Sequence, residues 1–334
     1  MLGREWEREN GVRTIDNLRG ALAALSTAAA QASMLHDEID RVRVQLGGLE
    51  SRHVEALAPA DIRKAEFQVF SQFGEDGLIQ FLVQRVVIEN DVFVEFGVGD
   101  YRESNTRFLL VHDNWRGLVM DSADSMHEFL RSTGLGWRHH VDAKTAFIDR
   151  TNINSLIGAA GIEGDIGLLS IDLDGNDYWV LDAIRVVNPR IIVAEYNSAF
   201  GAEVAVSVPY DAAFVRGEKH WSWLYWGASL AAITNLVDDR GYALVGGNRA
   251  GNNAFFVRRD VLGEIPEVSV GEAYVPSRFR DSRDRAGELS YITRHEDQLR
   301  LIADMPLVDV ESGRETTVGE RFGVTASALP GDRL

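Results

Sequence analysis

Val92–Asp100 reads VFVEFGVGD, and this stretch decides the fold. Val92, Phe93 and Val94 are apolar and β-prone, so they predict a buried strand that ends at Glu95. Gly97 and Gly99 follow, and Asp100 closes the turn. Glycines at the point where a first parallel strand turns let the backbone bend sharply. They also let a ligand approach the main chain. A carboxylate at Glu95 repels a pyrophosphate and favours a neutral or cationic partner. A dinucleotide-binding turn wants G-x-G-x-x-G, and Arg102 stands in its third slot.

Strand and helix patterns alternate downstream. Gly117–Met120 predicts a second strand ending in Asp121, 22 residues beyond Gly99. An acid there is placed to accept hydrogen bonds from ribose hydroxyls. Arg138–Val141 predicts a third strand with Asp142 at its end, and Ile166–Ile171 a fourth that is mostly apolar, as a central parallel strand should be. Arg190–Ala194 predicts a fifth, ending in Glu195; Tyr242–Val245 and Ala254–Arg258 predict a closing antiparallel pair. Helical patterns over 105–112, 152–160, 182–187 and 224–240 separate them. The expectation is an open α/β sheet, mostly parallel, with helices on both faces. Ligands in such sheets bind beyond the carboxyl ends of the strands. Glu95, Asp121, Asp142, Asp172 and Glu195 all fall there.

Ile171–Trp179 reads IDLDGNDYW. An apolar strand that ends in Asp172, Asp174 and Asp177 is unfavourable unless the acids meet a cation or water. Strand five adds Glu195, Tyr196 and Asn197 at the same edge. Oxygen ligands from adjacent strand ends suit a hard divalent ion such as Mg²⁺. The other reading is a tight turn at Asp174, Gly175 and Asn176, with Asp177 capping a helix. Lys219–Trp226 reads KHWSWLYW. Its rings can stack on a sugar, and His220 is an alternative base. Ser71, Gln72, Glu75 and Asp76 precede a helix with Leu78, Ile79, Leu82 and Val83 on its apolar face. They either cap that helix or reach over the pocket.

Glu95-x-Gly97-x-Gly99 resembles motif I of the class I S-adenosylmethionine-dependent methyltransferases, with Tyr101 at the third glycine position. The acids after strands four and five resemble those of the metal-dependent sugar O-methyltransferases and of a wider FkbM-like group, over roughly residues 65–260. Two departures stand out: an inserted Gly175–Asn176, and Tyr196 where the family has a second acid. The resemblance implies a Rossmann-like class I methyltransferase sheet and S-adenosylmethionine as cofactor, with Mg²⁺ as a second. Glu95, Gly97 and Gly99 would cradle the methyl donor, Asp121 its ribose, and Asp142 its adenine. Asp172 and Glu195 would bind the metal, with Asp174 as the base; beside the resemblance, Asn197 is a candidate third ligand by its place at the same strand end, and His220 an alternative base. The reaction implied is methyl transfer to a hydroxyl of a sugar or glycoside, on a small-molecule or glycan acceptor. The rival expectations are a Rossmann-like enzyme using a nucleotide, and a scaffold with a vestigial pocket.

The bulk numbers allow one sizeable domain with additions, or two domains. The chain has 334 residues, 45% of them hydrophobic, and a formal net charge of −17. That charge argues against nucleic acid or an anionic membrane surface as a partner bound by bulk electrostatics. There is no cysteine, which excludes a disulfide scaffold, a thiolate zinc site and a cysteine nucleophile. No run reaches the ~20 apolar residues of a membrane span. Without a basic region followed by an apolar stretch at the start, a cytoplasmic location is expected.

Residues 11–58 carry a helical stripe. Ile15, Leu18, Leu22, Leu25, Ala29 and Ala32 recur at three and four; after a slip the pattern resumes at Leu35, Ile39, Val42, Leu46 and Leu49. This predicts a coiled coil or a helical hairpin; the stripe then serves a homo-oligomer or packs on the chain's own domain, with Gly47 and Gly48 as an interruption and Pro59 starting the next segment. The expected organisation is an oligomerisation segment over 1–60 and the α/β domain over 61–260. A C-terminal extension over 261–334 would form a lid or partner contact, with Arg278, Arg280, Arg283 and Arg285 as a local basic run and a loose tail around Asp332.

Overall fold

The computed structural model describes residues 2–56 and 61–326, with the side chains of the first helix from residue 19 on, residue 33 excepted. Pro59 and Asp332 lie outside the described residues, as do the side chains of Ile15 and Leu18. The chain divides into two units, 1–46 and 47–334.

Helix α1 (Leu2–Ala56) makes up the first unit and contributes its last turns to the second. Within the first unit Leu22, Leu25, Leu35, Ile39, Val42 and Leu46 are all more than half exposed. Gly47 and Gly48 do not interrupt the helix. A Cβ on Gly47 would stand 2.4 Å from Val69 Cγ2, and one on Gly48 2.8 Å from His112 Nε2. Helical glycine costs about 1 kcal/mol against alanine. Here close packing of the last turns on the domain offsets that cost. Ser51 Oγ donates to Gln80 Oε1 on the same face.

The second unit holds a seven-stranded sheet. Its strands are β1 (Val92–Phe96), β2 (Arg116–Asp121), β3 (Val141–Thr145), β4 (Gly164–Ile171), β5 (Val187–Glu195), β7 (Tyr242–Gly247) and β8 (Asn253–Arg258). The short β6 (Val206–Ser207) lies between β5 and β7 in the chain and belongs to a second sheet. The order of the large sheet is β3-β2-β1-β4-β5-β8-β7, all parallel except β8, which pairs antiparallel with both neighbours. This is the Rossmann-like class I methyltransferase arrangement, α/β with one reversed strand near the edge. The central strands are apolar on both faces because both faces are covered. Val92, Val94 and Phe96 enter one hydrophobic cluster, while Phe93 enters the other.

Three elements differ from expectation. The third strand is Val141–Thr145 rather than 138–141, because Arg138 ends a short helix, Leu135–Arg138. The helix after strand four is Asp177–Ala183, so it starts directly at the acidic turn. A three-stranded sheet joins β6 to β9 (Pro306–Asp309) and β10 (Arg314–Thr317). With helices His295–Leu301 and Val318–Phe322 beside it, this sheet surrounds a third cluster that includes Phe200, Val208, Phe214 and Leu307. Among the described residues no helix is long and apolar enough to cross a membrane.

Gly47→Val is expected to lower the urea-unfolding free energy by about 1–3 kcal/mol, the usual cost of overpacking. Tryptophan fluorescence through the transition checks this; an unchanged midpoint would refute tight docking of the last helical turns.

Candidate active site

The carboxyl ends of β1, β2 and β4 meet at one turn. Gly97 has φ +80°, a left-handed conformation that favours glycine. A Cβ there would lie 1.4 Å from the carbonyl oxygen of Asp172. Gly97 N donates to Met120 O (3.0 Å) and Asp172 N to Phe96 O (3.2 Å), so the turn is stitched to both neighbouring strands. Asp121, at the end of β2, completes the frame. Its Oδ2 accepts from Gly99 N (2.8 Å) and its Oδ1 from Ala123 N (2.7 Å).

Two cavities open over this turn. One, about 460 Å³, is lined by Gly97, Gly99, Asp121, Phe147, Asp172, Asp174, Arg216 and Trp223 among others. The other, about 400 Å³, is lined by Gln72, Glu95, Gly97, Gly99, Asn105 and Asp172. They share Gly97, Gly99 and Asp172, and together they form a cleft across the mouth of the sheet.

Glu95 borders the second cavity. Its Oε2 accepts from Ser104 Oγ (2.6 Å), Thr106 Oγ1 and Thr106 N (3.1 Å), while its Oε1 accepts from Asn105 N alone (2.8 Å). Burial raises its pKa against the pull of these donors. Glu95 therefore anchors the loop before helix Arg107–Val111 through Oε2 and keeps room on Oε1 for a further donor. Asp76 is internal: its Oδ2 accepts from Val69, Phe70 and Ser71 N–H and braces the loop before the helix, whose N-cap is Gly74 with no side-chain cap, while Gln72 lines the cleft.

Beyond β4 and β5 three carboxylates converge. Asp172, Asp174 and Glu195 each offer an oxygen, all within 4.8 Å of one another. Asp172 and Glu195 lie side by side. Burial first, and then the neighbouring carboxylates, push both well above the ordinary range. Glu195 Oε2 is buried with no hydrogen-bond partner. Asp174 has φ +52°, uncommon for a residue with a side chain, and its carboxylate meets Arg216 Nη1 at 2.8 Å. Arg216 also reaches Asp281 Oδ2 (2.5 Å) and the Trp223 carbonyl (2.6 Å). Asp177 is not part of the triad. It accepts from Leu173 N (2.6 Å) and Gly175 N (3.0 Å), shaping the turn that presents Asp174; burial raises its pKa to about 6.

Three expected site residues lie elsewhere. Asp142 sits inside β3, paired with Leu118, and is exposed; the strand ends three residues later, and Ala146, Phe147 and Ile148 take the place by the cleft. Asn197 donates to the Leu224 and Trp226 carbonyls, accepts from Ala199 N and lines neither cavity. His220 does not line either cavity. Its Nδ1 meets Ser222 Oγ at 2.7 Å and its ring lies against Trp221. Arg216 is the residue the sequence reading missed. It lies 42 positions from Asp174, and no local pattern marks it.

No protein-family model matches this sequence, and no curated protein matches it. Three solved structures are similar at low identity. A Klebsiella pneumoniae protein provisionally assigned as an O-methyltransferase is 13% identical, TM-score 0.34, over 63% of this chain and 94% of that one. A S-adenosylmethionine-dependent methyltransferase from Clostridium acetobutylicum is 12% identical, TM-score 0.33, over 55% and 89%. The pyocyanin biosynthetic protein PhzM is 11% identical, TM-score 0.30, over 55% and 56%. None of these carries an argument here; the fold rests on the strand order and register themselves.

The buried acids predict a pH dependence. A carboxyl group whose pKa is raised in the folded chain binds its proton more tightly there than when unfolded. Stability is therefore lost as pH rises from the ordinary values, 3.8 for Asp172 and 4.5 for Glu195, through the raised ones. The thermal midpoint of the metal-free protein is expected to fall between pH 5 and 7.5. Glu195→Gln is expected to flatten that fall and raise the midpoint at pH 7.5. Calorimetric scans at several pH values check both.

Proposed function

We propose that the protein is an S-adenosylmethionine-dependent O-methyltransferase. The observation that carries this reading is the cleft over Gly97 and Gly99, with Asp121 hydrogen-bonded to Gly99 N at one side and three carboxylates at the other. The glycine cradle admits a ligand against bare backbone. Asp121 keeps lone pairs for ribose hydroxyls, since each of its oxygens accepts one protein N–H and has room for more. The nearby carboxylates of Glu95, Asp172 and Glu195 favour a sulfonium over a pyrophosphate.

Methyl transfer is an in-line displacement in which a nucleophile takes the methyl group from sulfur, so the chain must align a hydroxyl and accept its proton. Asp172 and Asp174 border the cleft and are the candidates to accept it. Arg216 holds Asp174 in place and steadies its charge. The triad also fits a hard divalent cation: it offers oxygens only, and Glu195 Oε2 is a buried acceptor without a donor. Asp172, Asp174 and Glu195 would hold Mg²⁺. When bound, the metal lowers the pKa of a hydroxyl, which a carboxylate alone is poorly matched to deprotonate. A sugar or glycoside suits a cleft with Trp223 at its rim, since an aromatic face stacks on a pyranose ring.

Titration calorimetry tests this. S-adenosylhomocysteine is expected to bind and NAD to give no heat. Asp121→Ala is expected to weaken the former about tenfold, the loss of one or two hydrogen bonds. Absence of S-adenosylhomocysteine binding would overturn the reading.

We propose further that α1 pairs with a second copy of itself, parallel and in register. With Ala32, Ile39 and Leu46 at a and Leu35 and Val42 at d, Glu38 falls at g and Arg43 at the following e. That pair is oppositely charged across a parallel dimer. The exposure of Leu35, Ile39, Val42 and Leu46 supports it. Light scattering on a sizing column is expected to give a dimer mass for the native chain and a monomer mass for Ile39→Asp; a native monomer would refute it.

A further inference from the structure

The cleft has an acidic floor, and a basic segment, Arg278 to Arg285, packs behind Trp223 at its edge; none of its four arginines lines either cavity itself. Arg278, Arg280, Arg283 and Arg285 stand within eight positions of a chain with 51 acidic and 34 basic residues. Among the described residues none of the four has an ion pair. The nearby acids are engaged elsewhere: Asp281 holds Arg216, and Asp284 accepts from Ala286 and Glu288 N–H.

An unpaired arginine in water is ordinary by itself. These are held in place, however. Arg283 lies over Trp223 (5.2 Å) and Arg285 over Trp221 (4.7 Å). Arg283 N donates to Ser222 O (3.0 Å). The buried Ser282 hydroxyl accepts from Ile292 N (3.0 Å), and Ser290 N donates to Ser282 O (2.8 Å). The arginine segment is thus sewn to the tryptophan loop. Trp223 itself lines the cavity that contains Asp172 and Asp174, has φ +60° and is 41% exposed. Arg283 Nη1 donates to Gly287 O (3.3 Å) in its own turn, and its Nε is buried with no acceptor.

A net charge of −17 repels an anionic ligand at long range, so a site for one needs a local positive field. A neutral acceptor would leave the oriented guanidinium groups idle. We propose that the methyl acceptor carries a carboxylate or a phosphate, seated on Arg283 and Arg285 beside the Trp221 and Trp223 rings. Its hydroxyl then points to the carboxylates on the floor. Guanidinium pairs with either anion through two parallel N–H bonds, and the negative floor rejects the reverse orientation. This rests on the methyltransferase reading of the same cleft and names the class of its acceptor.

The test is calorimetry at low salt on the full chain, with glucuronate, glucose 6-phosphate and neutral methyl glucoside as probes. At least one anionic probe is expected to bind about tenfold more tightly than the glucoside, as charge-assisted hydrogen bonds would give. The tighter anion identifies the group. Arg283→Gln with Arg285→Gln is expected to erase the preference while leaving the affinity for S-adenosylhomocysteine unchanged. Arg285→Gln alone, at an exposed position, should lose part of it and guards against misfolding of the double variant. Equal binding of the glucoside, no binding by either anion, or a preference that survives the double variant would overturn the proposal. Because the probes are read without cofactor, failure of the methyl-donor reading shows separately, as absent S-adenosylhomocysteine binding.

Discussion

The contact on which the site depends is the approach of Gly97 to the carbonyl of Asp172. No side chain fits there, since a Cβ would overlap the oxygen. That contact brings the end of β1 against the end of β4. Hydrogen bonds from Gly97 to Met120 and from Asp172 to Phe96 bring in β2 and hold the turn in register. The cradle for a ligand and the acids that face it are therefore two sides of one backbone junction. Disturbing either shifts both.

Around this junction the polar groups fall into two kinds. Some spend their hydrogen-bonding capacity on the chain: Glu95 Oε2 on Ser104 and Thr106, Asp177 on the turn before its own helix, Asn197 on the loop carrying the tryptophans. They make the loops rigid. Others keep capacity in reserve. Asp172 and Glu195 share a buried environment that raises both pKa values, and Glu195 retains an orphan oxygen. Buried charge without compensation costs stability, and its persistence points to a ligand or a proton that relieves it. Arg216 supplies part of that compensation through Asp174.

The segment after β8 is more than an appendage. It crosses the carboxyl end of the sheet, where Val275 N meets Tyr196 OH and Ser277 N meets Ser198 Oγ, and then delivers Asp281 to Arg216. The cleft is thus assembled from distant parts of the chain, with acids at the ends of β4 and β5 and, from the C-terminal region, the Asp281 that holds Arg216.

The sheet was legible from the chain because buried parallel strands are continuous apolar runs. Those at 92–95, 117–120, 166–171 and 190–194 needed no tertiary information, and Gly97, Gly99, Asp121, Asp172 and Glu195 are found at their ends. Asp142 was misplaced because β3 lies at the sheet edge, half exposed, where hydrophobicity marks the boundary poorly. The roles of the polar residues were not legible. Whether Glu95, Asn197 or His220 faces a ligand depends on which backbone groups lie within hydrogen-bond reach, and those come from distant loops. Arg216 could not be found at all, because a long-range ion pair leaves no local pattern. Local periodicity determined where the strand ends fall; only the folding of distant segments onto them decided which side chains remain free for chemistry.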